Sequence, residues 1–295
     1  MNAISLDLSK RPELIWLSRL VADICIATPK HDLLIVGAQA RDLLLMHAYG
    51  IDTGRATNDV DVAFMVADWG EFLSLRTRLV ESGRFSGHER TLQKLIHNGV
   101  GAAKIDLIPF AGVEDASRHI AWPPDGATVM NVIGFREAHD VALNVAMPEG
   151  ILVKVPPLHS LVLLKLSAWS DRRLTPPFGK DAHDIRLLLK HYLEAGNQER
   201  LYAEGAHLLE RSDFEYEVAG AWLLGHDARE LLEASDNAKN TVPFYLDLVK
   251  RESSAANESR LLSDMRSRDP VFDLRLLDSF AEGFLSDLTQ VTNSR

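Results

Sequence analysis

At 295 residues, 46% of them hydrophobic and 25% charged, the chain has the composition of a globular protein and the length for two domains, since single cores rarely grow past roughly 250 to 300 residues. Its net charge of −10, from 42 acidic and 32 basic residues, gives no whole-molecule attraction for nucleic acid, so any such contact has to be local. The lone Cys25 excludes an internal disulfide framework and a cysteine-rich zinc site, and its apolar surroundings (Val21 to Ala27) predict a buried thiol.

Residues 12–27 carry Leu14, Leu17, Leu20, Val21 and Ile24 at helical spacing, which predicts an amphipathic helix ended by Pro29. Leu33 to Val36 reads as a short buried strand stopping at Gly37, and Gln39 to Tyr49 as a helix. A polar turn from Gly50 to Asn58 leads into a strand, Asp59 to Val66, with acidic residues at its entry. A helix over 68–82 follows, then strands near 84–88, 92–98 and 101–109, the last closed by Pro109 because proline cannot donate to a ladder. The Pro- and Gly-rich stretch 110–150, with short β-like runs at 128–132, 141–146 and 151–155, predicts peripheral strands and loops.

After Pro156-Pro157 the pattern turns helical: about 158–171, 180–194, 197–210, 213–235, 241–251, 258–267 and 271–287. Residues 252–258 read as a linker. The expectation is an α+β chain, with a mixed sheet flanked by helices in residues 1–155 and a mainly α-helical domain in 156–295. The N-terminus lacks the features of a secretory signal, and no segment approaches the roughly 20 apolar residues that cross a bilayer. A cytoplasmic protein without membrane contact is the simplest expectation.

The residues with chemistry are mainly acids. Asp59 and Asp61, two apart on a strand, leave one face with Cα atoms about 6.5 to 7 Å apart. At that distance they repel unless a cation lies between them, and Mg²⁺ or Mn²⁺ suits such an oxygen pair. Alone, the same pair also reads as an ordinary polar strand end. Asp106 is a third acid, set inside the apolar Ile105-Asp-Leu-Ile108, where an unpaired charge is costly. Lys165 likewise interrupts an apolar helix and requires an anionic partner, either a triphosphate or an acid of the triad, unless it snorkels to water. Lys180 and Asp184, spaced i and i+4, read equally as a surface pair. Trp169 with Arg172 and Arg173 reads as a solvated helix end or as a contact for an acceptor. His183, His191 and His207 have no second ligand at i+4, so zinc is not expected.

Gly37-Ala38, then Asn58-Asp-Val-Asp-Val-Ala-Phe64, then Lys104-Ile-Asp-Leu-Ile-Pro109 together resemble the DNA polymerase β-like nucleotidyltransferase superfamily. Its signature is a glycine turn, an Asp-x-Asp pair and a later third Asp. Gly37-Ala-Gln-Ala-Arg41-Asp42 also resembles the glycine turn of CCA-adding enzymes and poly(A) polymerases. The stretch Val155 to Arg173, with Lys165, followed by Gly179-Lys-Asp-Ala-His-Asp184, is similar to the AbiEii-type toxin nucleotidyltransferases. Where the superfamily commonly has Gly-Gly or Gly-Ser, this chain has Gly37-Ala38.

The resemblance implies transfer of a nucleoside monophosphate from an NTP to an acceptor: tRNA or other RNA, a protein, or a small molecule. It also implies a toxin role with a cognate antitoxin. Asp59, Asp61 and Asp106 would hold the metal. Gly37, Ala38, Arg41, Asn58 and Asp184 would bind nucleotide, and Lys165 would offset charge on the leaving pyrophosphate. Ala38 keeps open another class, a silent module that binds nucleotide or protein without turnover.

Overall fold

The structure, a computed structural model, describes residues 5–54, 57, 59–87, 91–99, 102–174, 179–253 and 259–286. The chain divides into two compact units, Met1–Pro157 and Leu158–Arg295. Asn58 and residues 254–258 of the expected linker lie outside the described residues.

The first unit contains, in order, β1 (Ser5–Asp7), α1 (Ile15–Ala27), β2 (Leu33–Val36), α2 (Gly37–Asp42, continued by a π-helical turn over Leu43–Ala48), β3 (Asp59–Val66), α3 (Trp69–Glu81), β4 (Phe85–Gly87), β5 (Lys94–His97), β6 (Lys104–Ala111), β7 (His119–Ala121), β8 (Val129–Asn131), α4 (Phe135–Asp140), β9 (Leu143–Ala146) and β10 (Leu152–Val155). Eight strands form one mixed sheet in the order β1-β9-β10-β2-β3-β6-β5-β4, and β7 and β8 pair separately. Thus β9 and β10, expected at the periphery, lie inside the main sheet, and β10 runs parallel to β2.

Local chemistry explains the element ends. Helix α1 buries Leu17, Leu20, Val21 and Ile24 completely. It closes at Thr28, whose amide and hydroxyl both donate to the Ile24 carbonyl. Cys25 lies at the flank of that buried stripe and is exposed, contrary to expectation. Helix α3 is fixed at its start by a reciprocal cap: Asp68 accepts from the Glu71 amide at 2.8 Å, and the Glu71 carboxylate accepts from the Ala67 amide.

Pro109 does not close β6, which pairs with β3 through Ala111. The Leu107 amide points toward β5, donating to Gln93. Two residues on, the position of Pro109 faces the same way, beyond the end of β5, so no ladder bond is lost.

The second unit contains α5 (Leu158–Arg172), α6 (Lys180–His191), α7 (Ala206–Leu209), α8 (Tyr216–Glu233), α9 (Ala238–Glu252), α10 (Arg260–Met265) and α11 (Pro270–Leu285). Helices α8 and α11 cross closely at glycines. A Cβ on Gly225 would stand 2.1 Å from the Phe280 carbonyl oxygen, and one on Gly283 2.0 Å from that of Trp222. The helix expected over 197–210 is broken into a 3₁₀ stretch, Gln198–Tyr202, and the short α7. Gly196, with φ +89°, breaks the path ahead of it.

Candidate active site

Strands β3 and β6 run parallel with Asp61 beside Asp106 and Asp59 beside Lys104. The alternation that buries Val60, Val62, Ile105 and Leu107 turns these four side chains to the other face. They form a square on two neighbouring strands, with three carboxylates and one ammonium at its corners. Thr57 braces the outer end: its hydroxyl accepts from the Asp59 amide at 3.2 Å.

On one flank, β2 brings Val36 opposite Asp61, so Gly37 follows directly against that acid. Gly37 has φ +68°, and a Cβ there would lie 1.9 Å from Asp61 Oδ2. Glycine is therefore required twice, for its backbone conformation and for contact with the carboxylate. On the other flank, β5 sets Lys94 opposite Asp106, with Lys94 Nζ 3.9 Å from Asp106 Oδ1. A cleft of about 210 Å³ opens here, lined by Asp59, Lys94, Leu95, Ile96, Lys104 and Asp106. Sequence reasoning passed over Lys94 and Lys104. The signal was available, since Lys104 lies two residues before Asp106 and so shares its face.

Three carboxylates on one strand face offer the all-oxygen donor set that Mg²⁺ or Mn²⁺ prefers, and Gly37 leaves the space beside Asp61 free of a side chain. The site fits a divalent ion in donor chemistry. Its oxygens are not drawn together as a set within 4.8 Å of one another.

Of the remaining expected site residues, Ala38 and Arg41 belong to the first unit, and Lys165 and Asp184 to the second. Ala38 follows Gly37 at the start of α2 and is half-buried. Arg41 turns into the core, fully buried. Its Nε and Nη2 donate to Asp42 Oδ1 at 2.9 and 2.6 Å, and the Thr53 hydroxyl donates to the same oxygen. That guanidinium serves Asp42 rather than a surface nucleotide.

Lys165 and Asp184 meet within the second unit: Lys165 Nζ lies 2.5 Å from Asp184 Oδ2 and 3.4 Å from Asp181 Oδ1. Asp184 is fully buried, so it is not half of a surface pair with Lys180, and the anion beside Lys165 is this acid pair. Arg172 donates to Asp181 at 2.7 Å, and the buried Trp169 indole donates to Asp264 at 3.0 Å. Arg173 lies over the Trp169 ring. The basic end of α5 is thus built into its own unit.

A second cluster, His226, Asp227 and Glu230 on α8, gathers ligand-type atoms within 4.8 Å. Arg200 already clamps Asp227 with two bonds, at 2.5 and 2.7 Å, and the Tyr192 hydroxyl donates to the same carboxylate. Burial works to raise the Asp227 pKa, but the bonds from Arg200 and its neighbours hold it well below the usual carboxylate range. Contact with Asp227 raises His226 in turn. A guanidinium already supplies the positive charge there, which makes the cluster a lock between helices.

A mixed sheet with Asp-x-Asp on one strand, a third Asp beside it and a glycine turn against the middle acid defines the nucleotidyltransferase class. Residues 19–277 match the family described as "Nucleotidyl transferase AbiEii toxin, Type IV TA system". The chain belongs to this family and is a nucleotidyltransferase.

Among solved structures it is similar to JHP933 from Helicobacter pylori, at 14% identity and TM-score 0.37, covering 96% of each chain. It is also similar to the resistance factor ANT(2'')-Ia bound to adenylyl-2''-tobramycin, at 16% identity and TM-score 0.36, covering 63% of this chain and 99% of that one. For the Thermotoga maritima CCA-adding enzyme bound to tRNA the values are 13% and 0.25, with 97% and 83% covered. Likeness at this level assigns neither substrate nor acceptor. No curated protein matches the chain. Among the described residues, no helix is long and apolar enough to cross a membrane.

Proposed function

We propose that this protein moves a nucleoside monophosphate from an NTP to a hydroxyl of an RNA acceptor, tRNA foremost. We further propose that it acts as the toxin of a toxin and antitoxin or phage-defence pair, restrained by a cognate antitoxin. The observation that carries the chemistry is the pairing of Asp61 with Asp106 on adjacent strands, with Asp59 on the same face and Gly37 against Asp61.

Asp59, Asp61 and Asp106 would hold Mg²⁺ or Mn²⁺, which supplies charge compensation for the triphosphate and lowers the pKa of the acceptor hydroxyl. Gly37 and Ala38 open a helical run whose first amides have no intrahelical acceptor, and these amides take the β- and γ-phosphates. Asp106, on the flank away from Gly37, takes the proton of the acceptor hydroxyl at a carboxylate oxygen. The acceptor oxygen bonds to the α-phosphorus as the bond to the β-phosphate oxygen breaks, and pyrophosphate leaves.

Incubation with each α-labelled NTP, Mg²⁺ and tRNA tests this reading. Asp59→Ala is expected to lower label transfer roughly 10²- to 10³-fold, the scale of one lost transition-state charge contact. Equal transfer by wild type and variant sinks the mechanism.

Ala38, in the place of a second glycine or a serine, favours a second reading: a module that binds nucleotide without turnover. That reading expects Mg²⁺-dependent NTP binding by titration and no label on any acceptor.

A further inference from the structure

The flanks of the acid square differ in charge. Across the strands the row runs Val36, Asp61, Asp106, Lys94, with Gly37 following Val36, and the next row runs Asp59, Lys104, Ile96. Glycine and the start of α2 stand on the β2 side, whereas the lysines stand on the two strands away from it, Lys104 on β6 and Lys94 on β5. The cleft opens at the lysine end and is lined by both.

Displacement at phosphorus runs in line, with the attacking oxygen opposite the leaving group. If the triphosphate lies toward Gly37, pyrophosphate departs on that side, and the acceptor must arrive from the side of Lys94 and Lys104. As an ordinary surface pair, Lys94 and Asp106 at 3.9 Å, with side chains 51% and 36% exposed, contribute little to stability. A protein of net charge −10 also needs local cations to seat a polyanion.

We propose that Lys94 and Lys104 are acceptor-binding residues, taking the phosphodiesters next to the accepting hydroxyl. They thereby select a polyanionic acceptor over a neutral one. This rests on the transferase reading above. Lys94 bridges Asp106 while the acceptor is absent and turns to the acceptor's phosphate when it binds.

The test compares wild type, the double variant Lys94→Ala/Lys104→Ala, and the charge-keeping Lys94→Arg/Lys104→Arg, with bulk tRNA as the probe. The first readout is tRNA affinity in EDTA as a function of salt. The slope of log Kd against log salt is expected to fall by about 1 per lysine in the Ala variant and to return in the Arg variant. The second readout is kinetic. The KM for tRNA is expected to rise about tenfold, at a few-fold per phosphate contact, with the KM for NTP little changed.

An unchanged salt slope and tRNA KM overturns the proposal, as does a change confined to the NTP KM. Absence of tRNA binding by wild type overturns it as well. Failure of the parent reading shows separately, as wild type that binds tRNA but labels nothing, and the salt slope then still judges the lysines.

Discussion

Gly37 sets the tightest condition on the molecule at the scale of single residues. Any side chain there meets the Asp61 carboxylate at 1.9 Å, and its φ of +68° costs an L-residue about 1–2 kcal/mol. Gly37→Ala is therefore expected to push Asp61 out of line with Asp106 and abolish label transfer. The melting temperature should fall by only the few degrees that such strain explains. A Gly37→Ala variant with wild-type transfer would show that the Asp61 position is not critical. The shared face of Asp59 and Asp61 was legible in the sequence because two-residue periodicity fixes it within one strand, whereas the place of Asp106 beside Asp61 comes from the β3–β6 register, which the sequence does not display. Arg41 was misleading: its position in a familiar turn pattern says nothing of the Asp42 and Thr53 oxygens that draw it inward. Cys25 was misread because its apolar neighbours were weighed over helical spacing, which leaves it out of the Leu17, Leu20, Val21 and Ile24 stripe that α1 buries.

Among the elements, α5 and α6 are joined through Lys165, Asp181 and Asp184. Lys165→Ala removes the ammonium beside a fully buried carboxylate and is expected to cost about 3–5 kcal/mol, whereas Lys165→Met with Asp184→Leu should recover most of the melting temperature. A double variant no more stable than Lys165→Ala would show that the unpaired Asp184 carboxylate is not the source of the cost. The sequence announced that a buried lysine needs an anion. It did not reveal that α6 supplies that anion, because the partners are 16 and 19 residues away on a different helix. Strands β2, β3 and β6 were legible as apolar runs bounded by turn residues. The status of β9 and β10 was not, because short β-like runs carry no mark of how distant their partners are.

At the scale of the whole molecule, β10 decides where the first unit ends. It stands between β9 and β2 in the sheet, so a fragment ending at Gly150 leaves β1 and β9 detached from the strand that carries Gly37 into place. Residues 1–157 produced alone are expected to melt cooperatively by circular dichroism, and residues 1–150 to show no transition. A cooperative transition in the shorter fragment would mean that β10 is dispensable. The same strand order has a consequence for the newly made chain. Ser5 pairs with Asn144 and Leu34 with Lys154, so the earliest strands have no partner on that side until more than a hundred further residues have been added. At 5–20 residues per second this is a wait of roughly 6 to 30 s. The Asp-x-Asp strand can join β6 well before then, but β2 has a neighbour on only one side. The glycine turn against Asp61 is thus secured late, and the nascent protein acquires its complete acid site only near the end of making this unit.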